Sequence, residues 1–186
     1  MGSGARSGAV GGQRVTKGKQ GEQKKREKPG AEKIQKSPIE FTIRAATESD
    51  LAAIHAIELP SFADPWALTG FRDMIEHSRA RVEAAIDSNG TVIGYAVAWY
   101  VADEAEIANV AVAPAVRKRG IGTKLLDQTL EAAATLGART VFIEVRESNL
   151  AAQRLYASRA FAVAGRRKLY YRPPDGDGRV MRRVLY

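Results

Sequence analysis

Cysteine is absent from this 186-residue chain. That excludes a disulfide scaffold, a thiolate zinc site and a cysteine nucleophile, and it fits a reducing, cytoplasmic setting. No run of about 18 apolar residues occurs, so no segment reads as a membrane-spanning helix. The first residues lack the apolar core of a secretory signal, and Arg6 stands where a myristoylation pattern needs Ser or Thr. No Gly-Lys-Ser/Thr closes a GxxxxG and no GxGxxG occurs, which removes the ATPase phosphate loop and the dinucleotide fingerprint. No His/Asp/Glu cluster has metal-ligand spacing, so no metal is expected.

Positive charge is unevenly placed. Of the formal net charge of +8, most belongs to residues 1–38, which hold ten Lys/Arg against three Glu; residues 39–186 hold nineteen Lys/Arg against eighteen Asp/Glu. The first segment is rich in Gly, Lys and Gln and poor in large apolar residues. It cannot bury enough surface to offset its chain entropy, so it is read as a disordered basic tail ending at Ser37-Pro38. A solvated tail without a specific partner is one reading, and a polyelectrolyte arm touching RNA is another, although no aromatic is interleaved for base stacking. A mitochondrial transit peptide is a third reading; the tail is poor in acid but lacks an apolar face. Residues 39–186, within a chain of 45% hydrophobic composition, suffice for one domain with a substantial core.

Along that domain, Ile39, Phe41 and Ile43 alternate with polar residues, predicting a strand over Ile39 to Arg44. Thr47 or Ser49 can cap a helix carrying Leu51, Ile54, His55, Ile57 and Glu58. His55 lies on or beside the apolar stripe and reads as a packed residue. The segment LPSFADPW, residues 59–66, is a loop broken by two prolines and carrying two aromatics, and Phe71, Met74 and Ile75 mark a second short helix. Strands over Arg81 to Asp87 and Thr91 to Val101 flank Ser88-Asn89-Gly90, a hairpin signal. Asp103 to Glu106 reads as a turn, followed by the apolar run Ile107 to Val112. A helix over Ile121 to Leu136 ends at Gly137. Thr140 to Val145 is a strand interrupted by Glu144, and a carboxylate there needs a reason because desolvating it is costly. It either reaches water or Arg146 at a strand end, or it serves a site. Ser148-Asn149 caps a helix over Leu150 to Arg159, and strands over Phe161 to Tyr171 and Arg179 to Leu185 finish the chain. The order β-α-α-β-β-β-α-β-α-β-β implies an α/β domain with a mixed, largely antiparallel sheet flanked by helices.

One stretch organises the rest. VAVAPAVRKRGIGT, Val110 to Thr123, runs from a strand through a basic, Gly-containing turn into an amphipathic helix. A helix N-terminus offers free N–H groups and a positive dipole end, so such a turn suits an anion of phosphate size. An ordinary strand-to-helix loop with surface arginines is the alternative.

Arg117, Gly120 and Gly122 fill the acetyl-CoA signature R/Q-x-x-G-x-G/A, and the chain resembles the GCN5-related N-acetyltransferase (GNAT) family. The segments IANVAVAPAVRKRGIGTKLL, VFIEVRESNLAAQRLYASRAF and GRRKLYYRPP carry the resemblance across residues 39–186. DEAEIANVAV and FADPW support a branch acting on the N-terminal alanine of a ribosomal protein. The resemblance implies acetyl transfer from acetyl-CoA to a protein's N-terminal α-amine. The backbone of Val110, Ala111 and Val112 would align the pantetheine arm, with an N–H near Val112 as oxyanion donor. The turn Lys118, Arg119, Gly120, Ile121, Gly122 and Thr123, with Arg117, would hold the pyrophosphate, and Asn149 would contact CoA unless it only caps its helix. Glu144 would be the general base, with Glu104 and Glu106 as alternatives. Tyr156 would protonate the departing sulfur, unless it is simply a core tyrosine. The acceptor would sit between the FADPW loop and the loop carrying Tyr170 and Tyr171. Other outcomes are a lysine or small-molecule amine as acceptor, or a non-catalytic CoA-binding adaptor. The sequence departs from the family at Arg159-Ala160-Phe161, where Leu-Gly-Phe is usual, and at Glu106, where an uncharged residue is.

Overall fold

The computed structural model describes residues 39–170 and 176–185. The basic tail, with its proposed disorder and its RNA-arm alternative, lies outside the described residues, as do Tyr171 and residues 172–175. Eleven helices and strands follow in the expected order: β1 Phe41–Ala45, α1 Leu51–Glu58, α2 Leu68–Glu76, β2 Ala80–Asp87, β3 Val92–Val101, β4 Glu104–Val112, α3 Ile121–Thr135, β5 Thr140–Arg146, α4 Leu150–Ala157, β6 Ala162–Arg167 and β7 Gly178–Val184. Single 3-10 turns precede α1 and α3. The strands form one seven-stranded sheet in the order β1-β2-β3-β4-β5-β7-β6, and its pairs are antiparallel except β4 with β5. That one parallel pair requires a crossover, which α3 supplies. Among the described residues, no helix is long and apolar enough to cross a membrane.

The sheet is covered on both faces. Leu51, Ile54 and Ile57 of α1 and Phe71 and Met74 of α2 pack with Val82, Tyr95 and Val97. On the opposite face Leu126, Leu130 and Ala133 of α3 pack with Ile107, Val141 and Ile143, and Tyr156 of α4 joins them. Gly94 of β3 lies beneath the start of α3. A Cβ there would come within 3.0 Å of the Ala111 carbonyl and 3.1 Å of Leu125, so only glycine lets the helix sit this close.

Several boundaries differ from the sequence reading. β4 begins at Glu104, three residues before the apolar run, because Glu104 and Glu106 occupy alternate positions facing away from the α3 side while Ala105 and Ile107 are buried against it. The turn is confined to Ala102-Asp103, with Ala102 in the left-handed region at φ 54°. α4 stops at Ala157 rather than Arg159, because Ala160 takes a left-handed φ of 61° and closes the helix end. Glycine at that position would avoid about 1 kcal/mol of strain.

Candidate active site

The ladder between β4 and β5 joins Glu104–Ile107 to Thr140–Ile143 and stops there, although both strands continue, to Val112 and Arg146. The strands part at a bulge. Val97 of β3 faces Asn109 and Ala98 faces Ile107, so Ala108 is the extra residue. A bulge raises local twist and bends the strand that carries it. It also inverts the alternation: Ile107 packs towards α3, whereas Asn109, two residues later, reaches α1. Beyond the bulge, Val110 to Val112 remain paired to β3 but present an open backbone edge towards β5. A cleft of about 540 Å³ fills the gap, its walls including Val110, Glu144, Val145, Asn149 and Tyr156.

Val112 leads directly into the basic turn. Lys118 and Gly120 both have positive φ, 64° and 84°, and Gly120 is the N-cap of α3. The first helical bond of α3 runs from the Lys124 N–H to the Gly120 carbonyl, at 3.0 Å. The N–H groups of Ile121, Gly122 and Thr123 therefore stand ahead of the ladder, at the positive end of a 15-residue helix beside Lys118 and Arg119. This cradle fits a pyrophosphate, and the open edge of β4 fits an extended amide-bearing arm. Arg117 is exposed and bonds back to the protein: its Nε donates to the Val112 carbonyl at 2.9 Å and its Nη2 to the Ser61 hydroxyl at 3.0 Å. Its guanidinium braces the turn against the loop after α1.

Glu144 has a side chain 18% exposed and pairs with Arg167 of β6 at 2.9 Å. The Tyr170 phenol is pushed up first by its hydrogen bond to Glu144 and then by burial. Glu144 is thus held from the late part of the chain, by Arg167 and Tyr170. Tyr156 lies 6% exposed with its ring 6.0 Å from that of Phe161, and its side of the helix borders the cleft. This tyrosine is both a core residue and a cleft residue. Asn149 caps α4, its side chain accepting from the Ala152 N–H at 3.1 Å, and it too borders the cleft. Glu106 lines the cleft, while Glu104 lines an adjoining cavity of about 330 Å³ that shares Glu106 and Glu144 with it. Phe62, Asp64, Trp66 and Tyr170 reach the same cleft, so the FADPW loop and the late loop face each other across it. The two loop aromatics are half-buried and pack on the core, with Trp66 5.5 Å from Phe71.

Three residues at the site were missed from sequence: Glu58, Asn109 and Arg167. The first two carried a signal. Glu58 is an acidic residue on the apolar stripe of α1, and Asn109 is a polar residue inside an apolar strand. Both are buried, and the Asn109 amide donates to Glu58 at 3.1 Å. Burial pushes the Glu58 carboxyl up, opposed by the hydrogen bonds it receives. Arg167 had no signal, since its partner is on another strand.

Residues 51–161 match the model of the acetyltransferase (GNAT) family. The [ribosomal protein bS18]-alanine N-acetyltransferase of Escherichia coli (strain K12) is 34% identical over 138 residues, 74% of this chain and 90% of that protein. The N-alpha-acetyltransferase RimI of Mycobacterium tuberculosis (strain ATCC 25618 / H37Rv) is 36% identical over 149 residues, 76% and 91% of the two chains. The crystal structure of the ribosomal-protein-S18-alanine N-acetyltransferase from Escherichia coli superposes with a TM-score of 0.72 at 32% identity, covering 78% of this chain and 94% of that one.

Proposed function

The chain belongs to the GNAT family of acetyl-CoA-dependent N-acetyltransferases, and from that premise we propose that the amine it acetylates is the N-terminal α-amino group of a protein, an N-terminal alanine on a ribosomal protein in the cytoplasm. The observation that carries this reading is the convergence of Glu144 and Tyr156 on one cleft, between the open edge of β4 and the loop bearing Phe62 and Trp66.

The chemistry follows from what each group can do. Backbone groups of Val110, Ala111 and Val112 align the pantetheine arm as an added strand would, and an N–H near Val112 stabilises the developing oxyanion. The turn from Lys118 to Thr123 holds the pyrophosphate, with Arg117 keeping the turn in place and Asn149 closing the other side. An α-amino group has a pKa of about 8, so a fraction is already neutral at pH 7, and Glu144 takes the proton lost as the nitrogen attacks. Tyr156 gives a proton to the departing thiolate, where placement matters more than acidity. Asp64, Glu106 and Glu144 give the acceptor side of the cleft an acidic wall suited to an incoming ammonium.

The test is CoA release with acetyl-CoA and two peptides, one with a free N-terminal Ala and one blocked at its N-terminus and carrying a lysine, with Glu144→Gln alongside. Turnover of the free N-terminus alone, lost in the variant, is the expected result. Turnover of the lysine peptide alone overturns the Nα assignment. Acetyl-CoA binding without turnover of either peptide favours the non-catalytic adaptor.

A further inference from the structure

Glu58, the last residue of α1, is 0% exposed. Burying a carboxylate without partners is very costly, and its partners are therefore informative. The backbone N–H of Trp66 donates to Oε1 at 2.9 Å, the Asn109 amide donates to Oε1 at 3.1 Å and Oε2 at 3.3 Å, and the Tyr95 hydroxyl donates to Oε2. These three donors are neutral and come from three different elements: the FADPW loop, β4 just past its bulge, and β3. An apolar side chain would fill the same volume with less desolvation, but it would leave the Trp66 N–H and the Asn109 amide unpaired. What a carboxylate adds here is a fixed geometry between parts of the chain that are distant in sequence.

Those parts are the two walls of the cleft. Asn109 immediately precedes Val110 to Val112, and Trp66 lies in the loop facing them; Glu58 lies buried just behind the cleft wall. We propose that Glu58 is a positioning residue that ties the acceptor loop to the bulged segment of β4, so that the attacking amine and the thioester are held in register. The role does not depend on which amine is the acceptor. A displacement of about 1 Å at a reacting centre can lower a rate by about a hundredfold, and Glu58 is where such a displacement is prevented. Glu58→Gln keeps the shape but presents an amide to three donors, so one of them loses its acceptor.

The experiment uses Trp66 as a reporter. The sequence has two tryptophans, and Trp99→Phe leaves Trp66 alone; this variant serves as the reference. In that background Glu58→Gln is expected to keep the far-UV circular dichroism, to raise acrylamide quenching of Trp66 about twofold, and to lower kcat on the order of tenfold while the KM for acetyl-CoA stays within about twofold. A folded Glu58→Gln with unchanged quenching and unchanged kcat overturns the proposal, as does a fall in kcat that only tracks the folded fraction. If Glu58→Gln does not fold, Tyr95→Phe removes one donor and leaves the carboxylate in place. A smaller change of the same sign in quenching and kcat is then expected, and no change overturns the idea. Failure of the Nα reading shows instead as a wild-type preference for the lysine peptide, and the quenching result stands apart from it.

Discussion

The carboxylate of Glu144 on β5 meets the guanidinium of Arg167 on β6 at 2.9 Å, across the intervening strand β7. Arg167 also lies 5.0 Å from the centre of the Tyr170 ring, so cation, phenol and carboxylate form one group at the edge of the cleft. The carboxylate is thus engaged by both the Arg167 guanidinium and the Tyr170 phenol.

Arg167→Met therefore orients Glu144 less well without removing it. We expect kcat to fall about five- to tenfold, against a fall on the order of a hundredfold or more in Glu144→Gln. Steady-state kinetics on both variants checks the order; an Arg167→Met loss as large as that of Glu144→Gln would mean the cation takes part directly.

Tyr156→Phe removes only a hydroxyl from a side chain that is 6% exposed and packed on Phe161. The ring stays, so the fold should be kept and acetyl-CoA binding nearly unchanged. If Tyr156 is the proton donor as proposed, kcat should fall by about a hundredfold. A melting curve and kcat measured together separate this from a packing defect, in which both would fall.

Ala160 holds a φ of 61° at the end of α4, a conformation glycine adopts without strain. Ala160→Gly should raise stability by about 1 kcal/mol, less the entropy glycine loses on folding, and should leave kcat unaltered. Chemical denaturation gives the sign: a loss of stability would show that the entropy term dominates.

Asp50 is 6% exposed, accepts from the Thr47 N–H at 2.8 Å and pairs with Arg44 at 2.6 Å. Arg44 first, then Thr47, hold its carboxyl down at about 2, against the opposing effect of burial. Because the folded value is depressed, this stabilisation is complete above the unfolded value of about 4 and is lost as pH falls towards 2. Arg44 is half-exposed, so solvent screening limits the effect to about 1–2 kcal/mol at pH 7. Asp50→Asn should lower the melting temperature at pH 7 and flatten its decline between about pH 4 and pH 2.

The sequence by itself determined the element order, because each helix and strand carries its own period and its own stops: the Asn89-Gly90 hairpin, the Gly120 turn and Gly137 after α3 are local chemistry. It also carries the family resemblance, since Arg117, Gly120 and Gly122 lie within six positions and Glu144, Asn149 and Tyr156 within thirteen. Only the tertiary structure decided that Glu144, Asn149 and Tyr156 line one cleft with Val110 of β4. The Ala108 bulge, read off strand pairing and not off any motif, parts β4 from β5 and opens the cleft. Arg167 beside Glu144, and Tyr95 and Asn109 beside Glu58, lie on strands distant in sequence, where neither periodicity nor spacing extends. Arg117 fills the first position of the acetyl-CoA signature, and the folded chain shows where its side chain bonds, to the Val112 carbonyl and the Ser61 hydroxyl. A side chain's direction is set by the nearest acceptors in space, and those are fixed only once the sheet has formed.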